Sequence, residues 1–274
     1  MAGLSSVQNN IGALFSLRNL QSSQTMAAKS IQKLASGFQI NQAADDAAGL
    51  SISEKMRALI GGMEAASSNV MDAVSMLDTA EGGMGVIQSS LQRMRELSVR
   101  SMNGTMSDSD RSMLNEEFQQ IMGGINQIAS SNSFNGMKLL DGSKVNFQIG
   151  PDGESFNQMS VRMGDMSVAG MGLDKLDITT FDGAKAAMDT LTGTINLVSQ
   201  QRGNLGAQVN RLDYTYDNLQ NSIENLMGAE SRIRDTDMAK EMMRYTQSNM
   251  LMQANQTILG LSFQQKYSVL NLLV

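Results

Sequence analysis

The chain has 274 residues and a formal net charge of −6, with no Cys, no His, no Trp and a single proline, Pro151. These absences exclude thiol nucleophiles, disulfides, zinc sites of the usual kind and imidazole acid–base catalysis, leaving only carboxylate, Lys, Tyr or Ser/Thr chemistry. The acidic balance also argues against general nucleic-acid binding, which needs a cationic surface to displace counterions.

At the N-terminus, Leu4, Val7, Ile11 and Leu14, then Leu20, Ala27, Ile31, Leu34 and Phe38, predict an amphipathic helix with a phase shift near Leu17. The first residues lack a basic stretch followed by an unbroken apolar one, so no Sec-type signal peptide is expected. No apolar run approaches the roughly 18 residues needed to cross a bilayer, and no membrane association is expected.

From Met56 a seam runs through Leu59, Met63, Ala66, Val70, Ala73, Leu77, Ala80, Met84, Ile87, Leu91 and Met94 in steps of three and four. That is a heptad pattern, and a helix carrying it to Ser101 is roughly 70 Å long at about 1.5 Å per residue. Gly61-Gly62 and Gly82-Gly83 lie inside it; each glycine costs about 1 kcal/mol of helix propensity, so packing has to compensate. Ser107 or Ser109 then caps a shorter helix carrying Leu114, Phe118, Ile121, Ile125 and Ile128. Val145, Phe147 and Ile149, then Met159, Val161 and Met163, alternate at period two around a Gly/Pro loop and predict a small hairpin.

A second seam uses Met188, Leu191, Ile195, Val198, Arg202, Leu205, Val209, Leu212, Tyr216, Leu219, Ile223 and Leu226. Two matched seams predict an antiparallel pair in which each helix is the other's core. The C-terminal segment offers Met242, Tyr245, Met252, Leu259, Phe263, Leu270 and Leu273 in the same rhythm, and the two chain ends are expected to pair as a coiled coil. One such pair buries only a narrow stripe, so its remaining apolar faces call for further copies of the chain. The predicted fold is mainly α, a long antiparallel coiled-coil rod or bundle with a small β-hairpin region.

Several segments, taken in order, resemble the bacterial flagellins, the subunits of the flagellar filament. They are "GLSISEKMRALIGGMEAASSN" and "AVSMLDTAEGGMGVIQSSLQRMRELSVRS", then "FNGMKLLDG", then "LGAQVNRLDYTYDNLQNSIENLMGAESRIRDTDMAKEM". The resemblance implies an inner part built from residues 1–45 and 233–274, lining the filament channel, and an outer helical part over 46–232 with the hairpin near 143–180. The family's variable outer domains look to be missing, which makes this a minimal form.

The same resemblance implies a homopolymer outside the cell, reached through the flagellum-specific type III export apparatus without a cleaved signal. It implies partners in an export chaperone, the filament cap and the hook-junction proteins. A hook–filament junction protein or other flagellar adaptor is the alternative. No cofactor is implied, and no catalytic constellation points to an enzyme.

Within "LQRMRELSVRS", the heptad frame set by Met56 turns Leu91 and Met94 inward and places Arg93, Glu96, Leu97 and Arg100 on an outward face. The residues alone leave two readings open, a solvated charged face with one leucine, or a contact face with forked donors around an apolar anchor. The resemblance implies the second: a surface against a neighbouring protofilament, also recognised on monomers by the Toll-like receptor 5 of animal hosts. Arg93, Leu97 and, from the facing helix, Glu117 are the matching positions. For polymerisation, the terminal residues Leu4, Val7, Ile11, Leu14, Leu259, Phe263, Leu270 and Leu273 are the candidates.

Other conspicuous residues have plainer roles. Arg202 is expected to pair with a carboxylate at the seam's edge. "EGGMG" (Glu81 to Gly85) lies in a helical pattern, follows no strand and lacks the Lys-Ser/Thr of a phosphate loop. "PDGE" (Pro151 to Glu154) and "DTD" (Asp235 to Asp237) lack calcium-loop spacing and are expected in turns and caps. The 24 methionines fill apolar positions, where flexible side chains suit a core that repacks.

Overall fold

The hydrophobic periods become five helices among the described residues: α1 (Ile11–Ser36), α2 (Ala47–Ser101), α3 (Asp108–Ser131), α4 (Phe181–Arg234) and α5 (Met238–Asn271). The computed structural model describes residues 10–271, with side chains through residue 264. Between α3 and α4 lie four short strands, β1 (Ser133–Phe134), β2 (Met137–Lys138), β3 (Lys144–Gln148) and β4 (Gln158–Arg162). They form two antiparallel two-stranded sheets, β1 with β2 and β3 with β4. The mainly α architecture and the small hairpin agree with the sequence reading. The chain divides into two compact units, one ending at Ala58 and resuming at Asn225, the other Leu59–Glu224, so the division falls inside α2 and α4.

In the second unit, Ala66 through Met94 of the α2 seam are buried without exception, as are Leu191, Val198, Leu205, Leu212, Leu219 and Ile223 of α4. The two helices run antiparallel: Gln220 Nε2 donates to Ser67 Oγ, Arg202 to Glu81, and Gln88 Nε2 to Ser199 Oγ, so numbers rise on α2 as they fall on α4. At its start the α2 seam shifts by one, with Leu59 exposed and Ile60 buried.

A second column of α2, six residues beyond each first heptad position, faces another layer. Gly62 lies against Pro151, where an added Cβ would meet the proline Cβ at 3.0 Å. Asn69 Nδ2 donates to the Gln148 carbonyl, Met76 is buried, and Gly83 lies under Asn132. These contacts explain why α2 runs unbroken through both glycine pairs. Close approach of the β3–β4 hairpin and the end of α3 offsets the lost propensity.

Helix α3 starts at a capping box, the Ser107 side chain accepting from the Asp110 N–H while the Asp110 carboxylate accepts from the Ser107 N–H. Phe118, Met122, Ile125 and Ala129 are its buried face. In the larger hairpin Val145 opposes Val161 and Phe147 opposes Met159, so the period-two set shares one face. The smaller hairpin turns at Asn135-Gly136, both at positive φ (47° and 80°), the type I′ geometry this dipeptide favours.

In the first unit α1 and α5 approach each other more closely, backbone to backbone, than any other two helices among the described residues. The reason is side-chain size. The buried positions of α1 are Ser16, Ser23, Ala27 and Ser30, at helical spacings of seven, four and three, and α5 answers with Glu241 and Ser248. This corrects the expected seam. Ala27 is in it, but Ile11, Leu14 and Ile31 of α1 and Met242 and Phe263 of α5 are exposed. Serine fits the narrow gap and Ser16 Oγ satisfies itself by donating to the Gly12 carbonyl at 3.0 Å.

Gly37 ends α1 at φ 77°, its N–H bonded to the Lys33 carbonyl. Beyond it the connector is tied to the end of α4: Gln39 N–H donates to the Arg234 carbonyl at 2.7 Å and Thr236 N–H to the Gly37 carbonyl at 2.9 Å. Two guanidiniums lie over the Phe38 ring, Arg57 at 5.4 Å and Arg234 at 5.0 Å from its centroid. Each guanidinium also holds a carboxylate, Arg57 pairing with Glu230 and Arg234 with Glu54.

Candidate functional site

Two surfaces carry the candidate residues, one in each unit. In the first unit, α1 is pinned to α5 by polar groups: Asn10, the N-cap, accepts from Ala13 N–H and donates through Nδ2 to Ser262 Oγ at 2.7 Å. Near the other end of α1, Ser30 Oγ donates to Glu241 Oε1 at 2.6 Å, and Arg244 pairs with the second Glu241 oxygen at 3.2 Å. Burial alone would raise the Glu241 pKa, but the Ser30 hydrogen bond, the Arg244 hydrogen bond and nearby Lys33 together hold it below its ordinary value. Asp237 caps α5, accepting from Lys240 N–H, and Asp235 accepts from Ser231 Oγ, which gives "DTD" the structural role foreseen for it.

With small and polar residues inside, the large apolar side chains of this pair turn outward. Ile11 is 80% exposed, Phe15 65% and Met243 67%. Of the terminal residues singled out from the sequence, Ile11, Leu14 and Phe263 are exposed and Leu259 is half-buried. Leu4, Val7 and Leu273 lie outside the described residues, as does the side chain of Leu270. Phe15, Met243, Met250 and Leu261 belong to the same outward set but fall off the terminal rhythm of threes and fours, so the sequence pattern does not mark them.

A cleft of about 750 Å³ opens where α1, the connector and α5 meet, lined by Met26, Ile40 and Leu251 together with Lys29, Lys33 and Arg244. No group of three or more Asp or Glu able to hold a metal ion occurs among the described residues. No helix among them is long and apolar enough to cross a membrane.

In the second unit, Arg93 makes the forked contact its geometry allows. Its Nε and Nη2 donate to Glu117 Oε1 at 3.0 and 2.8 Å, and its Nη1 to Glu96 Oε2 at 3.0 Å. The hydrogen bond to Glu117 first, then that to Glu96, raises the guanidinium pKa further above its ordinary value. Beside this cluster Gln92, Arg95, Glu96, Val99 and Arg100 line a shallow depression; Glu96 and Arg100 are exposed, and Arg93 and Glu117 are half-buried at their ion pair.

Leu97 does not belong to that face. It is 0% exposed and part of the core with Phe118, a correction to the outward position assigned from the heptad frame. The frame counted one partner for α2, whereas α3 covers a second flank and draws Leu97 inward. Ser98 and Ser101 are buried too, their hydroxyls satisfied by the Met94 and Ile178 carbonyls. Arg202 pairs with Glu81 and bonds Gln88 at the edge of the seam, as expected, and "EGGMG" is continuous helix.

A largely helical chain that keeps small residues inside its terminal pair and large apolar ones outside has the build of a structural subunit. Residues 7–145 match the model of the bacterial flagellin N-terminal helical region, and residues 188–273 that of the bacterial flagellin C-terminal helical region. The chain is 44% identical over 269 residues to the flagellin of Halalkalibacterium halodurans, covering 97% of this chain and 99% of that one. It is 41% identical over 303 residues to the flagellin of Bacillus subtilis, with the same coverage of each. A solved structure assigned as a flagellar hook-associated protein from Vibrio parahaemolyticus shares the fold, with a TM-score of 0.60 at 16% identity over 70% of this chain and 100% of that one. The chain belongs to the bacterial flagellin family.

Proposed function

We propose that this chain polymerises with copies of itself into the tubular flagellar filament that serves motility, acting as a structural subunit and not as an enzyme. The outward apolar face of the α1–α5 pair carries this reading, since Ile11, Phe15, Met243 and their neighbours are exposed among the described residues and gain burial against other chains. In this reading residues 1–45 and 233–274 lie at the filament interior and residues 46–232 outside it. The subunit leaves the cell through the flagellum-specific export apparatus, with an export chaperone, and joins the polymer beneath a cap and above hook-junction proteins.

The Arg93, Glu96, Arg100 and Glu117 face is, on the same reading, the contact with a neighbouring protofilament, and on free monomers the surface met by Toll-like receptor 5. Its mix of forked arginine donors and carboxylates supports this. Deleting the last twelve or so residues tests the polymerisation role: a soluble, helical product that forms no filaments is expected. Filaments from that truncation would remove the role given to the C-terminal helix.

A further inference from the structure

Methionine occupies the chain in two opposite settings. Met84, Met94 and Met166 are 0% exposed in the core of the second unit, whereas on α5 Met238, Met242, Met243 and Met250 are 49%, 52%, 67% and 63% exposed. The four supply half of the large exposed apolar side chains of α5 among the described residues. Met243 and Met250, seven residues apart, lie on the helix face opposite Glu241 and Ser248, and Met242 and Met238 both lie to one side of that face, Met238 the nearer to the seam.

We infer that these four α5 thioethers are a modification site, whose oxidation to sulfoxide by a peroxide stops self-assembly while leaving the helical body folded. The inference rests on the assembly reading given above. In the step itself, a methionine sulfur lone pair attacks one peroxide oxygen, the S–O bond forms as the O–O bond breaks, and the departing hydroxide leaves as water by taking the proton of the attacked oxygen. The sulfur is oxidised by two electrons and the peroxide reduced by two.

The product is a polar, chiral group where an apolar one stood. On the free chain it stays hydrated and disturbs nothing, because no α5 methionine of this set is part of the seam with α1. In the polymer the sulfoxide oxygen loses its water on a face built of hydrocarbon, and burial of a polar group without a partner is unfavourable. The core methionines are shielded from the reagent, so damage to the fold and loss of assembly are separable in one molecule. A subunit is open to this chemistry before it joins the polymer and closed to it afterwards.

The test uses the full chain, partially oxidised with hydrogen peroxide, then allowed to polymerise and sedimented, with sulfoxide mapped by peptide mass in both fractions. Sulfoxide at the four α5 positions should be depleted about tenfold in the filament relative to the supernatant, and by more than at Met113 and Met137 of the second unit. Helix content should be unchanged by the treatment. Equal distribution of α5 sulfoxide between the fractions would overturn the inference, as would loss of helix content at the dose that stops assembly. A chain with Met238→Leu, Met242→Leu, Met243→Leu and Met250→Leu should keep polymerising after the same dose; equal sensitivity of that variant would also overturn it. If untreated chain forms no polymer, the assembly reading fails; if untreated and oxidised chains polymerise alike, only the present inference does.

Discussion

The side-chain amide of Asn132, donating to the Thr79 carbonyl at 3.1 Å, occupies the space that a Cβ on Gly83 would need. Its neighbour Gly82 has nothing within 4 Å of the same position. Gly82→Ala should therefore stabilise the chain by up to about 1 kcal/mol through helix propensity. Gly83→Ala should lose more than that gain, because Asn132 must move and release a hydrogen bond worth about 1 kcal/mol. Urea midpoints at constant slope should rank Gly82→Ala above the parent and Gly83→Ala below it.

Leu97 and Arg93 should separate core from surface. Leu97→Ala removes a fully buried side chain and is expected to cost about 2–5 kcal/mol, visible as a lower thermal midpoint. Arg93→Ala with Arg100→Ala should leave midpoint and helix content nearly unchanged while weakening filament growth and receptor binding, measured by sedimentation and surface-plasmon titration. Unaltered growth and binding in that variant would remove the contact role from this face.

The pair of Arg202 with Glu81 is partly exposed, at 35% and 41% of the side chains. A double-mutant cycle with Arg202→Ala and Glu81→Ala should give a coupling of about 0.5–1 kcal/mol that shrinks as salt is added. A coupling of several kcal/mol, insensitive to salt, would mean that water does not reach the pair.

Glu241 links the first unit to acidity. Its folded-state pKa lies below its ordinary value of 4.5, so its contribution is complete above that value and is lost as pH falls through the lower, folded-state pKa. Circular dichroism melts of the full chain from pH 7 to pH 3 should show thermal stability falling below about pH 4.5. In Glu241→Gln this acid-induced part should be reduced, whereas an identical pH profile in the variant would place the linkage elsewhere.

The a and d positions of α2 and α4 were legible because large apolar residues recur in steps of three and four, and a regular period survives whatever else packs nearby. The hairpin of Val145, Phe147, Met159 and Val161 was legible by its alternation for the same reason. Leu97 was not, since a heptad written for one partner helix cannot show that α3 covers a second flank. Nor was the α1–α5 seam. Serine reads as a surface residue in any hydrophobic pattern, and nothing in Ser16, Ser23 and Ser30 alone distinguishes a close helix contact from a solvated face. The tight turn at Asn135-Gly136 carried a local signal that the longer hairpin overshadowed.

The serine seam also decides what holds α1 and α5 in order. A contact of hydroxyls and one alanine removes little hydrocarbon from water, so the pair draws modest cohesion from itself, and the larger apolar area outside it is covered only when other chains are present. Mass action then enters the stability of the unit: whatever binds the ordered form and not the open one favours order in proportion to its concentration. On the proposed reading, the cohesion of the α1–α5 pair is in this sense a collective property, strengthened by each copy that covers its outer face.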